Sequence, residues 1–141
     1  MKKKSAFSLV EILVVGGGAG GRRASSDCSG TAAAAGGGGN YNILLNATVA
    51  EGTAYPIVIG AGPAGTKCSI KAGGVSSAFG INAAGGSGTT NHRVCLFNGT
   101  DCTNTYGNTG TGTNQFQNTG NGGMSGANKG MNGVVIIRGA L

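Results

Sequence analysis

No tryptophan occurs in these 141 residues, and there are only two prolines, one histidine and four acids. Each shortage removes a class of chemistry. A single His92 and four dispersed carboxylates cannot assemble a triad or a carboxylate pair, and no nucleophile elbow is present, so the chain reads as a non-enzyme. Its four cysteines include no C-x-x-C spacing, which predicts no metal site. A long apolar run is missing too. The N-terminal apolar segment, Phe7 to Val15, would rise only about 13 Å as a helix, against the roughly 20 residues that a membrane-spanning helix needs. It runs into "GGGAGGRR", whose glycines weaken a helix and whose Arg22 and Arg23 are costly in lipid. Membrane association is left open. Aromatics are 5% of the chain, and beyond residue 23 the cations Lys67, Lys71, Arg93, Lys129 and Arg138 stand singly. A nucleic-acid binder would show a basic stripe interleaved with aromatics, so nucleic acid is not an expected partner.

What is present is glycine, 31 residues of it. It is interleaved with the apolar runs "EILVV", "YNILL", "YPIVI" and "GVVII". A disordered linker of similar composition would lack those runs. The pattern predicts a compact β domain with little side-chain core and much ordered backbone. In "LVEILVV" both alternating faces are largely apolar, as in a strand buried on two sides. The closing "GVVIIRGAL" has the same character, and the two are expected to pair near the middle of the domain. Glycines three apart recur at Gly107 and Gly110, at Gly120, Gly123 and Gly126, and at Gly130 and Gly133. That is the trace of an extended helix with three residues per turn, packed so closely that one side admits only glycine.

"YPIVIGAGPAG", residues 55–65, carries the G-x-G-x-x-G spacing of a dinucleotide site. Such a site needs a helix after the glycines and an acid about twenty residues on. Here "TKCSIKAGGVSSAFG" follows, without helical periodicity, and the next acid is Asp101. The second match, Gly16 to Gly21, leads into "RRASSDCSG". No cofactor is expected, and the glycines are assigned to a sharp turn and close packing.

Cys28, Cys68, Cys95 and Cys102 permit two disulfides in three connectivities. Cys95 and Cys102 enclose "LFNGTD", with the turn signal Asn98-Gly99, so a clipped hairpin is predicted with Cys28–Cys68 as the long-range bridge. Four reduced buried thiols are the alternative. Asn46-Ala47-Thr48 and Asn98-Gly99-Thr100 match a glycosylation acceptor, a match that abundant Asn and Thr produce by chance. Tyr41, Tyr55, Phe79, Phe97 and Phe116 complete a small core or form a sugar-stacking platform.

Two resemblances extend this reading. "MKKKSAFSLVEILVV" resembles the leader of type IV prepilins and pseudopilins. The resemblance implies a cut between Ala6 and Phe7 by a prepilin peptidase, methylation of Phe7, and Glu11 as the partner of a neighbouring subunit's amino terminus. Ala6 departs from the family's usual Gly, and the apolar helix is truncated. The body resembles the glycine-rich domain of phage tail-fibre and bacterial surface proteins. The residues that carry it are "ILVVGGGAGG" at 12–21, "TAYPIVIGAGPAG" at 53–65, "GVSSAFG" at 74–80 and "GVVIIRG" at 133–139. It implies an all-β fold, a small β-sandwich with glycine-rich extended loops of the polyproline-II kind.

The expected organisation is a leader and apolar segment, or first strand, over 1–15, and a glycine-rich β domain over 16–141. The expected function is an exported, non-enzymatic structural or adhesive protein, processed like a prepilin. Its partners would be its own copies or pilin-like subunits, and a cell-surface or glycan ligand. It would be extracellular or on the cell surface, where disulfides persist. The alternative is a receptor-binding attachment module of a phage fibre, located on the virion. The two differ in the fate of residues 1–15, since a central domain strand cannot also be a free helical anchor.

Overall fold

The computed structural model describes residues 7–27, 32–89, 94–95, 105–106, 120–123 and 128–139. All its regular elements are strands: β1 (Phe7–Val15), β2 (Tyr41–Ala50), β3 (Ile57–Val58), β4 (Ser76–Ala78), β5 (Ile81–Ala83), β6 (Val94–Cys95), β7 (Thr105–Tyr106) and β8 (Val134–Gly139). There are two three-stranded antiparallel sheets, ordered β2-β1-β8 and β3-β4-β5, and a separate short β6-β7 pair. The first two pack face to face as a small sandwich.

β1 lies at the centre of its sheet because it is apolar on both faces. Ile12 and Val14 point between the sheets, onto Ala78 and Ala83, with Leu44, Ile81 and Val135 around them. Leu13 and Val15 form a second buried cluster on the opposite face with Val134 and Ile136. The first and last strands do pair, with Ile12 opposite Ile137 and Val14 opposite Val135. On the other side Val10 faces Ala47 and Ile12 faces Leu44, so two residues of β2 oppose Glu11 alone. This bulge is accommodated at Asn46, whose φ of 55° suits a residue type that tolerates the left-handed region.

Beyond Val15 the chain leaves the sheet and enters a bundle of extended glycine segments. The N–H groups of Gly16, Ala19 and Arg22 bond to the carbonyls of Asn40, Gly37 and Ala34. Those of Gly17 and Gly20 bond to Gly74 and Lys71, and those of Gly18 and Gly21 to Met131 and Asn128. Successive residues thus face three different neighbours, and each neighbour is revisited every third residue, stepping back three along its own chain. That is the repeat of a threefold extended helix. Three further segments bond to the carbonyls of residues 16–23: Gly86 to Gly17, Gly123 to Ala19 and Thr66 to Gly21. Residues 16–23 therefore run down the middle of six neighbours. The expected triplet spacing is realised at Gly130 and Gly133, which donate to Pro63 and Gly60, and at Gly120 and Gly123, which accept from Gly39 and Gly36. Gly107, Gly110 and Gly126 lie outside the described residues.

Candidate functional site

The dinucleotide-like stretch is part of this bundle. Gly60 donates its N–H to the buried Ser76 Oγ at 2.8 Å, and Gly62 donates to Asn132 Oδ1 at 3.0 Å. A β-carbon at Gly60 would overlap the Gly74 carbonyl, and one at Gly62 the Gly130 carbonyl. The amides that a pyrophosphate would need are thus directed at the protein's own oxygens, and no helix follows them. Ser76 and Asn132, which tie this loop to β4 and to the residues before β8, were not legible as functional positions. Their only sequence signal is a polar residue beside a strand in an otherwise apolar setting.

A groove opens beside the sandwich. Its volume is about 320 Å³, and Leu44, Ala47, Thr48, Tyr55, Pro56 and Phe79 line it. Tyr55 and Phe79 stack with centroids 4.7 Å apart and planes 20° from parallel. The Tyr55 hydroxyl accepts the Ala50 N–H at 2.9 Å, which locks the ring against the end of β2. Phe79 sits in the two-residue turn between β4 and β5, with φ of 51°, followed by Gly80 at 79°. Both positive values mark a type I′ hairpin turn, where Asn or Gly is usual. The aromatic side chain is kept there against its backbone preference. Of the five aromatics proposed for a platform, these two meet. Tyr41 lies at the start of β2, 45% exposed, and Phe97 and Phe116 fall outside the described residues.

Two of the residues expected from the leader resemblance, Phe7 and Glu11, lie in β1. Phe7 is the first residue of β1 and pairs with Ala50. Glu11 stands mid-strand opposite Arg138 of β8, and its carboxylate accepts from the Arg138 guanidinium. Residues 7–15 supply the central strand of the sheet, and no described helix is long and apolar enough to cross a membrane. Ala6 lies outside the described residues.

Among the cysteines, Cys68 is disulfide-bonded. Its neighbour Lys67 approaches Asp27, the residue before Cys28, to 3.9 Å. Cys28 and Cys102 lie outside the described residues, as does the side chain of Cys95. β6 and β7 pair antiparallel with Thr105, not Cys102, opposite Cys95, and the Asn98-Gly99 turn of the expected clipped hairpin lies outside the described residues. No group of three or more potential metal ligands occurs among the described residues.

An all-β sandwich extended by a glycine bundle, with its loops and one aromatic groove outward, defines a structural class of glycine-dependent β domains. The chain belongs to the glycine-rich domain family, whose model matches residues 2–140. No curated protein and no solved structure matches it.

Proposed function

We propose that this chain is an exported, non-enzymatic attachment module, displayed on a cell surface or a virion. One observation carries the reading: the glycine N–H groups of residues 16–23 are all directed into neighbouring backbone. Glycine used in this way builds a rigid support and does not cradle a ligand. Contact is then left to the segment-connecting loops and to the groove at Tyr55 and Phe79. The disulfide at Cys68 supports an oxidising destination. The approach of Lys67 to Asp27 supports Cys28 as its partner, with Cys95–Cys102 as the second bridge.

In this reading residues 7–15 belong to the domain, which favours the fibre-type attachment module over a pilin with a helical anchor. A prepilin-type cut between Ala6 and Phe7 is kept as a second reading, because such a cut removes none of the described strand Phe7–Val15. Two measurements test the proposal. Beads coated with the full chain should be retained by intact target cells, and retention no better than that of beads carrying an unrelated basic protein would sink it. A mass spectrum of exported, non-reduced protein should show two disulfides. An N-terminus at Phe7 would select the prepilin route, and one at Met1 or Lys2 would remove it.

A further inference from the structure

Five cations that the sequence spreads from position 22 to position 129 have their backbones at one end of the glycine bundle. The backbone places them there. Arg22 donates to Ala34 and Arg23 to Thr66, the residue before Lys67. Gly20 donates to Lys71, and Gly21 to Asn128, the residue before Lys129. Arg23, Lys67, Lys71 and Lys129 are exposed. Arg22 is half-buried, and its Nε donates to the Ala32 carbonyl at 2.9 Å.

The acids do not cancel this charge. Among the described residues only Asp27 is near, and its 3.9 Å pair with Lys67 is solvent-exposed on both sides. Exposed pairs of this kind are weak and screened. Glu51 belongs to the other end, where the end of β2 meets the start of β1, and Glu11 stands midway along β1. Ten extended residues separate Glu11 from Arg22, a span on the order of 30 Å, or several Debye lengths at physiological salt.

We infer that this basic pole, Arg22, Arg23, Lys67, Lys71 and Lys129, is a docking surface for an anionic polysaccharide. The attachment reading supplies the choice of a glycan; the location rests on geometry alone. Charge complementarity favours a polyanion, since a neutral sugar hydrogen-bonds to these groups without the net Coulombic attraction that a chain of anionic groups gains. Among the described residues the placed aromatic side chains, Tyr41, Tyr55 and Phe79, belong to the sandwich strands and their connections, so none of these rings stands at the pole for exposed bases to stack on. That favours sulfate, phosphate or carboxylate groups on a saccharide chain over single-stranded nucleic acid.

The test uses the full chain and a heparin oligosaccharide of defined length as the probe, with affinity measured by titration over a range of salt. Binding should weaken with salt. The triple variant Arg23→Gln, Lys71→Gln, Lys129→Gln should bind about tenfold more weakly, with a salt slope lower by roughly two to three charges. The triple variant Lys2→Gln, Lys3→Gln, Lys4→Gln should keep both. If the pole variant melts early, Lys129→Gln alone carries the comparison, with about a twofold loss expected. Loss confined to the N-terminal variant, or no binding by the parent chain, would overturn the inference. So would a single-stranded DNA of equal charge that competes as well as heparin, which would point to nucleic acid instead. Bead retention by cells without heparin binding would end this inference and leave the attachment reading. Heparin binding without retention would do the reverse.

Discussion

At Gly18 the absence of a β-carbon determines whether the chain can fold. A methyl group there would overlap the Asn121 carbonyl, and at Gly16 and Gly17 the carbonyls of Ala84 and Ala61. Three successive positions are blocked by three different neighbours, and all the blocking atoms are backbone that cannot rotate away. Gly18→Ala should therefore cost about 3 kcal/mol or more, or abolish folding. Gly139→Ala, where nothing lies within 4 Å, should stay within about 0.5 kcal/mol of the parent. Thermal melts of the two variants check this, and equal melting temperatures would contradict the packing. Phe79 poses the opposite problem, a large side chain on a backbone that suits Asn. Phe79→Ala loses the stack on Tyr55 and keeps the unfavourable φ, whereas Phe79→Asn loses the ring and relieves the turn. The Asn variant should be the more stable of the two by about 1 kcal/mol in denaturant titration, since a left-handed residue costs Ala roughly that much. Both should fall below the parent if ring packing outweighs the turn.

The element on which the rest depends is β1. Leu13 is 1% exposed and Leu9 is 50% exposed, although both are outward-facing leucines of the same strand. Leu13→Ala should cost about 2–5 kcal/mol and Leu9→Ala less than about 1. Similar losses at both would mean that the sheet is not centred on β1. A second element-level test is Ser76→Ala. It leaves the buried Gly60 N–H without its oxygen and should cost about 1–3 kcal/mol. The two-sided apolar pattern of residues 9–15 was legible because it depends only on alternation along one strand. The pairing of β1 with β8 was legible from the similar apolar character of the first and last segments. The β2 bulge was not, because the extra residue is visible only against the register of its partner. The basic pole was also hidden. Arg22, Lys71 and Lys129 are remote in sequence, and antiparallel glycine segments bring them to one level of the bundle. G-x-G-x-x-G spacing misled only in isolation, and the missing helix after Gly65 corrected it.

For the whole molecule, the balance between side chain and backbone is unusual. The buried apolar side chains among the described residues are Ile12, Leu13, Val14, Val15, Ala19, Ala78 and Ala83, a small side-chain core for the residues described. The larger part of the ordered interior is backbone, with each amide of residues 16–23 bonded to a neighbouring segment. A buried N–H without a partner is costly, so opening one segment exposes or orphans groups on several others at once. The bundle should therefore open cooperatively with the sandwich and not fray as glycine linkers do. Hydrogen exchange distinguishes the two. Amides of Gly17, Gly18, Ala19 and Gly20 should exchange at least about a thousandfold more slowly than an unstructured chain, at the same free energy as Ile12 and Val14. The turn at Glu51 and Gly52, exposed beyond β2, should exchange fast. Glycine amides that exchange at unstructured rates while β1 stays protected would separate the bundle from the sandwich. The poles of the molecule would then have no fixed relation, and five cations at one end would be an average over many arrangements instead of a surface.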